Sequence, residues 1–195
     1  MIGKQPAGWE MVVANQLPRA MKRRVVAGFC GGLLALAGCG GHPDEAASPS
    51  PAYNYFLRLV YRHTVPTTTP AALARALRES APPLLLDART PAEFRVSHLR
   101  GARLVPFDSV AALRLPGVAR TQPVVVYCSV GVRSERLGER LHAMGFRTVH
   151  NLHGGLFEWV NQGYPVYDSR GLTQAVHPYS ALWGAWLRRG RKAYE

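Results

Sequence analysis

Cysteine is scarce in this chain, with three in 195 residues: Cys30, Cys39 and Cys128. No two stand in a Cys-x-x-Cys pair, which argues against a dithiol redox centre. So few thiols leave no ligand set for a structural zinc ion, and neither a metal nor a cofactor is expected. Acidic side chains are few as well. Twelve Asp plus Glu face 24 Lys plus Arg, for a formal net charge of +12, and nearly all the positive residues are arginine. A basic surface favours anionic small substrates or anionic lipid headgroups. Nucleic acid is the rival partner, but the chain carries no aromatic-plus-basic motif of a known binding type, and no nucleic acid is expected. The apolar stretch Val25 to Ala37 falls short of the ~20 residues that span a bilayer, and there is no internal repeat.

What is there begins with a leader. Met21-Lys22-Arg23-Arg24 precedes the uncharged stretch to Ala37, and small residues follow. A positive segment, a short apolar segment and small residues before a cut are the parts of a secretory signal, here residues 21–38. Leu36-Ala37-Gly38-Cys39 resembles the lipobox of bacterial lipoproteins. That resemblance implies cleavage before Cys39, with a diacylglyceryl group on its sulfur and acylation of its amine. Two or more acyl chains give stable anchoring where one is marginal. The alternatives are an ordinary signal peptide cut elsewhere and an uncleaved anchor. Residues 1–20 fit neither, and since Met21 is a possible start we read them as an extension foreign to the native protein. The expected location is the extracytoplasmic face of a bacterial membrane. Signal removal takes Cys30 and lipid blocks Cys39, which leaves Cys128 as a lone reactive thiol facing an oxidising compartment. The mature part keeps 19 basic against 11 acidic side chains, a net charge of +8.

Gly40 to Pro51 is small and polar, and residues 39–52 read as a flexible tether. Tyr53, Phe56, Leu57, Val60 and Tyr61 recur at helical spacing, and a helix is expected over 53–65. Thr69 with Pro70 opens another helix carrying Leu73 and Leu77. Leu84-Leu85-Leu86-Asp87 is a short apolar run suited to a buried parallel strand. Thr90-Pro91-Ala92-Glu93 is a capping box with proline at the first helical position. Ala102 to Pro106 reads as a strand, and Asp108 as the cap of a short helix. The 123–127 strand follows, then a helix with Leu137, Leu141 and Met144 on one face and Gly145 as its stop. Phe146 to Leu152 reads as a strand and Gly155 to Asn161 as a helix ending at Gly163. Strands alternating with helices predict one α/β domain over 66–175, with a mostly parallel central sheet flanked by helices.

The chemistry concentrates where Pro123-Val124-Val125-Val126-Tyr127 delivers Cys128 into the loop Cys128-Ser129-Val130-Gly131-Val132-Arg133-Ser134. Gly131 allows a tight fold, so that successive N–H groups form an anion-binding nest. The positive end of the next helix and the Arg133 guanidinium add to the same field. A cysteine there is expected as a nucleophilic thiolate rather than an inert core thiol. Ser129, Val130, Gly131, Val132 and Arg133 are the expected substrate-binding residues, at the carboxyl edge of the sheet where open α/β folds place their sites.

Three stretches resemble the rhodanese family. Leu85-Leu86-Asp87-Ala88-Arg89, Glu93-Phe94 and His98-Leu99-Arg100-Gly101-Ala102 resemble its first signature. Tyr127 to Ser134 resembles its active loop, and Gly145-Phe146 through Gly154-Gly155, Trp159 and Gly163-Tyr164-Pro165-Val166 resembles its closing segment. The resemblance implies a rhodanese-like fold and an enzyme. That enzyme would move a sulfane sulfur from a small anionic donor, thiosulfate or polysulfide, to cyanide or a thiol through a persulfide on Cys128. It also implies a support role for Asp87 and Arg89 in holding the active loop. The arginine stands five positions after the cysteine, as in sulfurtransferases. The related phosphatases and arsenate reductases carry a loop one residue longer, which makes them the lesser alternative. A non-catalytic sulfur carrier or partner-docking module is the other, with its protein partner unspecified.

Other residues read more plainly. A surface ion pair is the alternative for Asp87 and Arg89. Glu93 reads as the capping-box partner, and His98 as a structural histidine rather than a base. His150 and His153 lack a third ligand for a metal. In the tail, 176–195, Leu182, Trp183, Trp186 and Leu187 make an apolar stripe followed by Arg188, Arg189, Arg191 and Lys192. It reads either as an interfacial helix or as a last helix packed on the domain, with the latter favoured.

Overall fold

The computed structural model describes residues 49–194. The leader, Cys39 and most of the tether lie outside those residues. The first helix, α1 (Pro51–Val60), starts where Ser50 caps it, its Oγ accepting from the Tyr53 N–H at 3.3 Å. It begins two residues before the expected 53 and stops well short of 65. The reason lies 70 residues on. Glu135 accepts the N–H groups of Arg62 and Thr64, each at 2.9 Å, and so pulls the backbone out of the helix. Tyr53, Phe56, Leu57 and Val60 form the buried face of α1, as their spacing predicts.

Two-residue β1 (Thr67–Thr68) and α2 (Pro70–Ala76), capped by Thr69, lead to β2 (Leu84–Asp87). Helix α3 (Pro91–Val96) carries the capping box: Glu93 N–H donates to Thr90 Oγ at 3.2 Å, and Thr90 N–H to Glu93 Oε2 at 3.0 Å. Strand β3 is confined to Arg103–Leu104, shorter than the expected 102–106, because it is an edge strand that meets β2 only at Leu86 and Asp87. The 3₁₀ helix that follows (Phe107–Ala112) takes Pro106 as its cap, with no side-chain bond. Asp108 sits inside its first turn rather than capping it. Then come β4 (Val124–Tyr127), α4 (Val132–Ala143), β5 (Val149–Leu152) and α5 (Gly155–Asn161). Residues 146–148 stay out of β5 because Phe146 N–H closes off α4 on Leu141 C=O and Arg147 N–H goes to Arg120 C=O.

The five strands form one parallel sheet in the order β1–β5–β4–β2–β3. Alternation along each strand divides the core. Leu85, Val125, Tyr127 and Leu152 face one cluster with α1, α2 and α5, and Leu84, Leu86, Val124, Val126 and Val149 face another with α4. Both faces are covered, as parallel sheets require.

The chain ends in β6 (Val166–Asp168), β7 (Gly171–Thr173), β8 (Ala175–Val176), the four-residue α6 (Ala181–Gly184) and β9 (Arg191–Lys192), which pairs with β8. The apolar stripe of the tail splits. Trp183, Trp186 and Leu187 turn inward, and Leu182 stays 68% exposed. Trp186 stacks on Tyr53 and Phe56 of α1, with centroids 5.1 and 4.9 Å away, so the two ends of the described chain pack on each other. No described helix is long and apolar enough to cross a membrane.

Candidate functional site

Cys128 lies at the carboxyl end of β4, 1% exposed. Four consecutive carbonyls of its loop are held from outside. Cys128 C=O accepts from Leu156 N–H at 2.8 Å, and Ser129 C=O from Phe157 N–H at 3.0 Å. Val130 C=O accepts from Tyr61 Oη at 2.7 Å, and Gly131 C=O from Asn151 Nδ2 at 2.8 Å. These carbonyls are taken up by donors outside the loop, and Gly131 N–H donates to Cys128 Sγ at 3.1 Å. Gly131 caps α4 with φ of +106°, a conformation that favours glycine. Any Cβ there would also run into the Tyr61 hydroxyl. Gly155, φ +58°, is needed for a second reason: a Cβ would strike the Cys128 and Ser129 backbone.

Arg133 is buried, and its fork is engaged by Glu93. Nη2 donates to Oε1 at 2.6 Å and Nη1 to Oε2 at 2.8 Å, while Nη2 also reaches Ser129 Oγ at 3.0 Å. Ser129 Oγ donates to Glu93 Oε1 at 2.8 Å. Glu93 is therefore more than a capping-box partner. Burial alone would raise its carboxyl, but the Arg133 guanidinium, then Arg89 and the Thr90 N–H, hold it well below the usual carboxylate range. Burial likewise works against the Arg133 charge, and Glu93 more than restores it.

Asp87 and Arg89 are fully buried, so the surface-pair alternative fails. Arg89 Nη2 donates to Asp87 Oδ2 at 2.7 Å and to Ser97 C=O at 2.6 Å, joining the end of β2 to the end of α3. Its guanidinium carbon lies 5.8 Å from the centre of the Tyr127 ring, next to Cys128 in sequence. His98 Nδ1 pairs with Phe94 C=O at 3.0 Å, a structural contact. His153 Nε2 pairs with Asn54 Oδ1 at 3.0 Å. Among the described residues no group of three or more His, Cys, Asp or Glu stands together.

A narrow cavity of about 10 Å³, room for about one water molecule, is lined in part by Cys128. Its walls include Cys128, Val130, Val132 and Arg133, all expected at the site. They also include Tyr179 and Trp183, which nothing in the sequence pattern placed there. Tyr61, Glu93, Tyr179 and Trp183 are thus the site residues that sequence reasoning missed. A helix-face tyrosine or a tail tryptophan carries no local sign of which loop it meets.

The profile of the rhodanese-like domain matches residues 69–162. A sulfurtransferase of Allochromatium vinosum is 31% identical over 100 residues, covering 51% of this chain and 92% of that protein. The probable adenylyltransferase/sulfurtransferase MoeZ of Mycobacterium tuberculosis is 31% identical over 100 residues, but these make up only 26% of its length. A solved rhodanese-like domain protein from Staphylococcus aureus is 29% identical, with a TM-score of 0.45, over 55% of this chain and 95% of the other. This chain belongs to the rhodanese-like family. Helix α1 and the tail beyond α5 lie outside the matched segment.

Proposed function

We propose that the protein is a sulfurtransferase working through a persulfide on Cys128. The observation that carries this is the Gly131 N–H on Cys128 Sγ, at the start of a 12-residue helix and inside a closed loop. That arrangement favours an anionic sulfur, first as thiolate and then as persulfide. The thiolate attacks the outer sulfur of the donor; with thiosulfate, Cys–S⁻ and S–SO₃²⁻ give Cys–S–S⁻ and SO₃²⁻. The electron pair of the broken S–S bond leaves with sulfite. An acceptor such as cyanide then takes the outer sulfur as thiocyanate and restores the thiolate. No general base is needed for either step.

Ser129, Val130, Gly131 and Val132 shape the pocket in this reading, and the Arg133 charge, held by Glu93, biases it toward anions. Asp87 and Arg89 brace the neighbouring β2–α3 connection. Cys39 is proposed as the lipidated residue that tethers the domain outside a bacterial cytoplasmic membrane. Loss of the protein from the membrane fraction in Cys39→Ser would support that anchor, and unchanged fractionation would remove it.

The persulfide is tested by mass mapping of the Cys128 peptide from the full chain, before and after thiosulfate or hydropolysulfide. The expected result is a gain of one sulfur, about 32 Da, reversed by cyanide and absent in Cys128→Ser. Thiocyanate turnover separates an enzyme from a sulfur carrier. No gain from either donor rejects the reading.

A further inference from the structure

The part of the tail that lines the Cys128 cavity is built in an unusual way. Tyr179 has φ of +64°, in the left-handed region that few bulky residues adopt. It sits at the centre of a three-residue turn in which Ser180 N–H donates to Pro178 C=O at 2.8 Å. Its own N–H donates to His177 Nδ1 at 3.0 Å. This strained turn holds the Tyr179 ring over the Arg133 guanidinium, 5.0 Å from its carbon. Gly184 lets α6 seat against Pro178, since a Cβ there would come within 2.8 Å of the proline ring. From α6, Trp183 reaches the cavity and meets Phe56 of α1 edge-on at 5.6 Å. Backbone strain retained beside a reactive sulfur points to a role at the site.

The chemistry of the mouth follows from its walls. Val130, Val132, Tyr179 and Trp183 present mostly carbon. Arg133 is the one described lining residue with a full charge, and the Glu93 carboxylate lies against it. The cavity is small and Tyr179 and Trp183 are part of its lining, so a donor that delivers sulfur to Cys128 through it meets both rings. Thiosulfate carries a tetrahedral sulfonate and two negative charges, and burying that group against carbon is costly. A hydropolysulfide or alkyl persulfide is slender and carries at most one charge.

We infer that Tyr179 and Trp183 form an aromatic cap that selects slender sulfane donors of low charge over thiosulfate. The inference rests on the Cys128 persulfide reading and narrows its donor class. In the transfer, Cys–S⁻ attacks R–S–SH at its outer sulfur. The new Sγ–S bond forms as the donor S–S bond breaks, and RS⁻ leaves with the electron pair. It takes up the proton of the transferred sulfur, giving Cys–S–S⁻ and RSH. No external oxidant or reductant enters.

The test compares rates of persulfide formation on the full chain with sodium hydropolysulfide and with thiosulfate. The variants are wild type, Tyr179→Gly, Tyr179→Phe and Trp183→Leu. Glycine relieves the positive φ while removing the ring, so this variant is expected to fold, and a thermal melt checks it. Wild type should favour hydropolysulfide by at least about tenfold, within the range that pocket shape supplies. Tyr179→Gly and Trp183→Leu should raise the ratio of the thiosulfate rate to the hydropolysulfide rate several-fold, and Tyr179→Phe should keep the wild-type ratio. A wild type that takes thiosulfate as readily, or a ratio indifferent to Tyr179 and Trp183, overturns the cap alone. No sulfur gain from either donor overturns the persulfide reading, and the cap with it.

Discussion

Arg133 and Glu93, 40 positions apart, meet fork to fork at 2.6 and 2.8 Å beneath the Cys128 loop. The pair ties the first turn of α4 to the first turn of α3, and therefore the active loop to the neighbouring β2–α3 connection.

Glu93→Gln keeps the shape and removes the charge, leaving a buried guanidinium without its counterion. Breaking one side of a buried pair costs about 3–5 kcal/mol, so the urea midpoint should fall well below that of wild type. The folded-state pKa of Glu93 is depressed, so its contribution is present above the unfolded value near 4.5 and is lost as pH falls toward the folded value. Wild-type stability should therefore decline steeply in acid below about pH 4.5, and the variant should lack that part of the slope. A variant as stable as wild type at pH 7 would show that the pair contributes nothing net.

Tyr61 links α1 to the active loop. Its hydroxyl donates to Val130 C=O at 2.7 Å and accepts from Gly154 N–H at 3.0 Å, both buried. Tyr61→Phe leaves a carbonyl and an amide unsatisfied, at about 1–3 kcal/mol each before any relaxation. Persulfide formation should slow while Cys128 remains reactive toward a small alkylating agent, because the loop loses its shape but keeps its thiol. Equal loss of both reactivities would mean general unfolding instead.

The central strands and the capping box were legible because their signals are local. Leu84–Asp87 and Val124–Tyr127 are continuous apolar runs, and Thr90 to Glu93 announces its helix within four residues. Cys128 stood out for the same reason, with glycine and arginine following at short spacing. What was not legible depends on distant partners. Glu135 ends α1 from the far side of the sheet, Glu93 has a second role that only Arg133 reveals, and Tyr179 and Trp183 line the Cys128 cavity after 50 and 54 intervening residues. Short β3 differs from the expected strand because edge pairing, not propensity, decides how many residues join.

The buried Asp87–Arg89 pair offers a sharper test than either residue alone. Asp87→Ala or Arg89→Met should each cost about 3–5 kcal/mol by stranding a charge, whereas the double apolar substitution should recover much of that loss. Chemical unfolding of the four proteins of the cycle gives the coupling directly. A simple sum of the two single effects would mean that the residues act independently and that Arg89 serves mainly the Ser97 carbonyl.

Glu158 behaves in the opposite sense to Glu93. It is buried in α5, with Oε1 accepting from Gln162 Nε2 at 2.9 Å and Oε2 meeting no hydrogen-bond donor among the described residues. Burial raises its pKa, against the opposing influence of Gln162, Asn161 and the Arg188 charge. A folded-state value above the unfolded one means that the contribution is fully present below about pH 4.5 and is lost as pH rises through the folded value. The two carboxylates thus oppose each other on either side of the ordinary carboxylate range, and their slopes separate by variant. Glu158→Gln should match or exceed wild type in melting temperature at pH 7, and should flatten the decline that wild type shows as pH rises above about 4.5. Parallel melting curves for the two proteins from pH 4 to 8 would show that Glu158 finds a compensating partner and does not set the pH profile.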